Sequence, residues 1–294
     1  MSKKFDFALV DAFSDKPLAG NPCAIVVGAD GLKSPEMLAI AKEFNQSETA
    51  FLMKSKKSDL RARYFTPASE IPLAGHPTIA SIHLALELGL IAHTKKFISL
   101  ELQDGPIQVG IKRQKNRFVI RMFQRKPIFG EIHNANKVTE LFGLTQSDLL
   151  GDCKIQTVST GTRQLMVPLK SHASLRKLRM NVPAYKAYRD QHDFFSPHFF
   201  CLGGASSEGD TFARHLGVPP DTQEDAFTGS ATGGMAAYLW KYGLLKKKTF
   251  VAEQGHWMGR PGKAFVELIG PTEDIECVCV TGSAVTVVKG TLSI

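Results

Sequence analysis

Apolar positions along this chain fall mainly into short runs separated by Gly, Pro, Asn and Asp, which is the pattern of strands joined by turns. Strands are predicted at 5–10, 23–27, 49–53, 60–66, 97–102, 107–111 and 118–122. A second set follows at 164–169, 198–202, 249–253, 264–268, 276–281 and 284–288. Helical spacing is predicted over 35–44, 77–88, 210–216 and 231–242. The result is a strand-rich α+β chain.

The pattern also repeats. Adding 154 to positions in 70–105 places Glu70 on Glu224, Gly75 on Gly229, Thr78 on Thr232, Gly89 on Gly243, Leu90 on Leu244 and Gly105 on Gly259 without a gap. Each copy runs from a Gly turn through a helical stretch to a Gly at the position after the helix end, where a left-handed backbone carries no Cβ penalty. This suggests duplication, with halves at 1–128 and 129–294. A linker is expected at 125–135, around Lys126-Pro127 and Gly130, and the tail 276–294 is a candidate to return to the first half. Two matched helix N-termini facing one cleft would offer unpaired N–H groups and a dipole to a carboxylate.

Composition narrows the class of protein. The chain has 294 residues, 43% hydrophobic and 22% charged, ordinary values for a globular protein with its own core. Thirty-six Lys and Arg against 28 Asp and Glu give +8. The basic residues cluster only in small groups, at 54–63, 112–115 and 246–248, without the aromatic-laced stripe of a nucleic-acid groove. A solvated surface or a field attracting small anions explains them. No signal-peptide h-region opens the chain, and the longest apolar stretch, 79–92, contains His83 and Glu87 and is too short to span a bilayer. Cys23, Cys153, Cys201, Cys277 and Cys279 form no CxxC pair and read as reduced thiols of a cytoplasmic protein. Alternation along a strand accounts for Cys277-Val278-Cys279 more simply than a metal site.

Several chemistries lack their signatures: there is no P-loop, no dinucleotide-binding G-x-G-x-x-G after a strand, no H-E-x-x-H and no G-x-S-x-G elbow. Four segments are polar in unusual ways: Gly20-Asn21-Pro22, Asn45 to Thr49, Thr66 to Thr78 ending in Ala74-Gly75-His76-Pro77-Thr78, and Glu224 to Ser230. With Gln254-Gly255-His256-Trp257-Met258-Gly259-Arg260-Pro261-Gly262, they form an ordered set covering nearly the whole chain. The set resembles the phenazine-biosynthesis PhzF-like family. The one departure, Ala226 where many members carry Pro, removes no functional group.

The resemblance implies the diaminopimelate-epimerase-like fold: two similar α+β domains related by a pseudo-two-fold, each a sheet wrapped around a central helix, with a cleft between. It also implies an acid/base role for Glu48, with His76 and Asp225 as catalytic companions and Ser47, Gly75, Gly229 and Ser230 around the substrate. From spacing alone, Glu48 also fits a cap or surface residue, and His76 a structural helix-start residue. Ser230 likewise fits a cap, and Asp225 a turn residue. Glu70 and Glu224 are read as braces of backbone turns. Relatives of this fold that racemise amino acids use two thiols just before the helix-start glycines. Ala74 and Thr228 stand there and cannot act as carbon bases, which excludes a two-thiol racemase.

The expected activity is a cofactor-independent isomerase without a metal, moving a proton between carbons of a small carboxylate such as trans-2,3-dihydro-3-hydroxyanthranilate. Glu48 would act as a one-base shuttle. The alternative is a non-catalytic metabolite-binding or protein-interaction protein on the same scaffold. The expected partner is a small anionic metabolite, with no nucleic acid and no membrane. Sheet edges leave a homodimer open.

Overall fold

The computed structural model describes residues 3–115, 117–219 and 222–294. The chain runs β1 (Lys4–Ala12), β2 (Asn21–Val27), α1 (Ser34–Phe44), β3 (Thr49–Met53), β4 (Leu60–Phe65), β5 (Glu70–Ile71), α2 (Gly75–Glu87), β6 (Phe97–Leu102), β7 (Gly105–Gln114) and β8 (Arg117–Phe123). It continues through β9 (Ile128–His133), α3 (Ala135–Leu141), β10 (Ile155–Ser159), β11 (Arg163–Pro168), α4 (His172–Lys177), α5 (Val182–Arg189), β12 (Ser196–Leu202), β13 (Thr211–Leu216) and β14 (Glu224–Asp225). Last come α6 (Gly229–Lys241), β15 (Thr249–Gln254), β16 (Gly262–Ile269), β17 (Cys277–Gly282) and β18 (Ala284–Ser293). This is a mixed α+β fold.

The strand pairings follow one plan twice. β1 pairs antiparallel with β2 and β18, β2 runs parallel to β3, β3 antiparallel to β4, β4 parallel to β6, and β6, β7 and β8 form an antiparallel run. In the later stretch β10 pairs antiparallel with β11 and β9, β11 runs parallel to β12, β12 antiparallel to β13, β13 parallel to β15, and β15, β16 and β17 close the series. An antiparallel β8–β17 pairing joins the two series. Parallel neighbours need a crossover, and α2 and α6 supply the two equivalent ones, β4 to β6 and β13 to β15.

Both crossover helices are apolar almost all round, the pattern of a helix enclosed by the core. Ile79, Ile82 and Leu86 of α2 and Met235, Tyr238 and Leu239 of α6 belong to one buried cluster with strand residues from both series. A separate cluster around Phe142, Tyr185 and Phe199 packs α3, α4 and α5 against the later strands. Among the described residues no helix is long and apolar enough to cross a membrane.

One expected helix is corrected. Within the stretch 210–216, Thr211–Leu216 is strand β13, not helix, although Phe212 and Leu216 fall at helical spacing. It lies between β12 and β15 and is buried on both faces, so its side chains need not alternate in polarity. The stretch expected as linker also contains structure, since β9 occupies Ile128–His133 and pairs with β10. Along the tail, β17 pairs with β16 on one side and with β8 on the other, and β18 pairs with β1. Strand β10 and helices α3, α4 and α5 were not anticipated. The turn-brace reading of Glu70 and Glu224 has a direct counterpart: Arg63 donates through Nε and Nη2 to Glu70 at 2.7 and 2.5 Å, and Arg214 to Glu224 at 2.8 and 2.7 Å.

Candidate active site

A cavity of about 530 Å³ opens where the N-termini of α2 and α6 meet, and all seven residues singled out from the sequence line it: Ser47, Glu48, Gly75, His76, Asp225, Gly229 and Ser230. A space of this size suits one small metabolite.

Local chain chemistry positions each group. Helix α1 ends at Asn45 in the left-handed region, φ 50°, a conformation Asn tolerates. That turn delivers Ser47 and Glu48 to the cavity immediately before β3, whose first residue, Thr49, is fully buried. His76 is the second residue of α2 and is 3% exposed. Asp225 ends the short β14, three residues before Thr228, the N-cap of α6.

Neither N-cap residue, Ala74 or Thr228, places a side chain on its helix's first-turn N–H groups. The two ends approach so closely that a Cβ on Gly75 would lie 3.0 Å from Gly229 Cα and 3.1 Å from Ser230 N. One on Gly229 would lie 2.9 Å from Phe13 Cζ. Two uncapped helix N-termini at one point make an anion site from backbone alone.

Asn21, which the sequence reading left without a role, is the hub. Its Nδ2 lies 2.7 Å from Asp225 Oδ1, 2.8 Å from the Phe227 carbonyl and 3.0 Å from His76 Nδ1. An amide nitrogen has two hydrogens, and the two oxygens can only accept them. The His76 ring also has a hydrogen bond to the Pro22 backbone. Burial pushes the imidazole pKa down to about 3, so the ring is neutral. Its Nε2 faces Ser47 Oγ at 3.5 Å and Glu48 Oε2 at 3.4 Å.

Burial pushes the Asp225 carboxyl up to about 6, against hydrogen bonds from Thr228, Asn21, the Ala226 backbone and Ser47 that favour the anion. Thr228 Oγ1 donates to Oδ2 at 2.6 Å. The late Gln254–Gly262 motif supports this turn. Gln254 Nε2 donates to the Asp225 carbonyl at 2.7 Å, and Arg260 donates to Asp11 at 2.5 Å and to the Gly20 carbonyl at 2.9 Å, tying down the loop that carries Asn21. The signals for Asn21, Gln254 and Arg260 were present in the polar motifs, but their role is to orient other side chains, which spacing cannot show.

Outside this cavity, Glu131, His133 and His192 lie within 4.8 Å of one another through possible metal-ligand atoms. Both His133 nitrogens there are already hydrogen-bonded, to Tyr188 and Thr157, each at 2.9 Å. Cys277 and Cys279 sit on one face of β17 with sulfurs 4.0 Å apart.

Comparison with known proteins shows the family. Residues 10–290 match the family described as phenazine biosynthesis-like protein. The chain is 33% identical to the uncharacterized isomerase YfhB of Bacillus subtilis, over 96% of this chain and 97% of that one. It is 32% identical to trans-2,3-dihydro-3-hydroxyanthranilate isomerase of Pseudomonas chlororaphis, over 97% and 98%. A PhzF-family phenazine biosynthesis protein of Bacillus anthracis superposes with a TM-score of 0.90 at 29% identity, covering 99% of this chain and 100% of that chain. A hydroxyproline epimerase of Agrobacterium vitis shares the fold at 12% identity with a TM-score of 0.68, covering 99% and 93%.

Proposed function

Because the chain belongs to the phenazine biosynthesis-like family and is an isomerase of that family, we propose that it moves a proton between two carbons of a small carboxylate substrate, with Glu48 as the acid/base. The observation that carries this reading is the 3.4 Å approach of Glu48 Oε2 to His76 Nε2 beside two uncapped helix N-termini. In the proposed cycle the helix ends at Gly75-His76 and Gly229-Ser230 hold the substrate carboxylate. Glu48 takes a proton from one carbon and returns it to another, with His76 beside it to orient the substrate. Negative charge developing on the substrate lies against the same backbone N–H groups. Asp225 anchors Asn21 and, through it, His76. No step requires a metal or an organic cofactor.

The scaffold for this site is read as two similar halves of a diaminopimelate-epimerase-like fold meeting near residue 128, with the repeated pairing plan as support. The five free cysteines support a cytosolic setting. The relative from Pseudomonas chlororaphis nominates trans-2,3-dihydro-3-hydroxyanthranilate as the first substrate to try. The test is incubation with that compound and a panel of small amino- and hydroxycarboxylates, followed by NMR and mass spectrometry. A product of altered connectivity and unchanged mass supports the reading, and products only of changed mass contradict it.

A further inference from the structure

The wall of the cavity contributed by β11, β12 and β13 carries a second polar group that the proton-transfer scheme does not use. Gln164 lines the cavity yet is 2% exposed, and among the described residues its amide nitrogen has no hydrogen-bond partner. Its Oε1 lies 2.9 Å from Ser196 Oγ, Ser196 Oγ lies 2.7 Å from His215 Nε2, and His215 Nδ1 lies 3.3 Å from His198 Nδ1. His198 is fully buried, and its Nε2 has no partner.

The dead end at His198 sets the direction of this chain. Burial keeps both rings neutral, so each has one N–H. If His215 donated to His198, the only hydrogen of His198 would sit on Nε2, buried with nothing to accept it. An orphaned buried N–H is the arrangement proteins avoid most strongly. His198 Nδ1 therefore donates to His215, His215 Nε2 donates to Ser196, and Ser196 donates to Gln164 Oε1. The Gln164 carbonyl is fixed by this relay, and its NH₂ is left for the cavity.

The register of the strands gives the wall its meaning. Phe51 pairs with Arg63 and Phe199 with Arg214, the two arginines of the matched braces. Counting back equally from Phe51 and Phe199 reaches Glu48 and Ser196, so Ser196 holds the second-series place that Glu48 holds in the first.

We propose that Gln164 is a specificity-determining residue that donates a hydrogen bond to a second oxygen of the substrate, a carbonyl, hydroxyl or carboxylate remote from the carboxylate held at the helix ends. The substrate class is then a small carboxylate bearing a second acceptor oxygen. This rests on reading the helix ends as a carboxylate site, but not on Glu48 being the base.

Binding of two nearly isosteric probes tests it, cyclohexanecarboxylate and 3-oxocyclohexanecarboxylate, titrated into glutamine-¹⁵N-labelled protein with Gln164→Met identifying the Gln164 amide signal. The oxo acid binds about tenfold more tightly, the worth of one hydrogen bond, and it alone shifts the Gln164 amide resonances. Gln164→Met removes the preference, and Ser196→Ala weakens it by releasing the amide. Equal affinity for the two probes, binding of neither, or a preference that survives in Gln164→Met overturns the assignment. The readout is binding of the probes and not turnover, so the fate of this proposal is separate from that of the proton-transfer reading.

Discussion

Gly75 and Gly229, the first residues of α2 and α6, meet with no room for a side chain between them: a Cβ on Gly75 would lie 3.0 Å from Gly229 Cα. The two N-termini can converge on one anion only because both positions are glycine. Gly75→Ala should therefore push the helix ends apart, lowering stability by about 1–3 kcal/mol as overpacking does and raising KM for the substrate. Gly31→Ala, where an added Cβ meets open space, should stay within about 0.5 kcal/mol. Chemical denaturation of the two variants beside wild type checks this, and equal midpoints would contradict it.

Asn21 is a positioning residue. Removing its donor in Asn21→Leu takes a hydrogen bond from the Asp225 carboxylate, and since that bond favours the anion, the Asp225 pKa should rise above its present value of about 6. Turnover should fall at least tenfold, and the limb of the pH profile governed by Asp225 should move to higher pH. A pH–rate profile of kcat/KM decides it: a loss of rate with an unmoved profile would assign Asn21 a purely structural role.

Stability should decline as pH falls from about 6.5 towards 4. His76 and His215 are both pushed down to about 3, and His198 is lowered as well. In the unfolded chain these rings take up protons near pH 6.5. The folded protein cannot follow until far lower pH, so stability is complete above 6.5 and is lost below it. Asp225 has the opposite sign: with a folded pKa of about 6 it binds its proton before the unfolded chain does at 3.8, which returns stability between those values. Three histidines outweigh one aspartate. Denaturation midpoints at pH 7.5, 6 and 5 should fall in that order, and a flat series would show that the rings are not held neutral.

Much of the site was legible because its residues sit in short motifs whose spacing follows local structure. The helix starts at Gly75 and Gly229 were marked by the glycine turn, the apolar helix face and the 154-residue repeat. Strand β13 was missed for a related reason. The distance from Arg to Glu is 7 residues in the first brace and 10 in the second, so an ungapped comparison loses register just upstream of Glu224 and cannot align 211–216 with β4. The role of Asn21 and the Gln164–Ser196–His215–His198 relay were not legible because each works through partners distant in sequence or across strands. Their function is a matter of hydrogen count, which only the assembled neighbours determine.

The central claim is that Glu48 carries the proton between substrate carbons, and solvent deuterium reads it most directly. Wild type and Glu48→Gln, which keeps the side chain's size, would be incubated in D₂O with the substrate found by the panel, and deuterium at each carbon followed by NMR and mass spectrometry. The predicted result is product formation in wild type with deuterium at the carbon that receives the proton, to the extent that the shuttled proton exchanges with solvent, and a loss of turnover of about 10²-fold or more in Glu48→Gln. Turnover in Glu48→Gln within about threefold of wild type, far short of what losing a general acid/base costs, would contradict it.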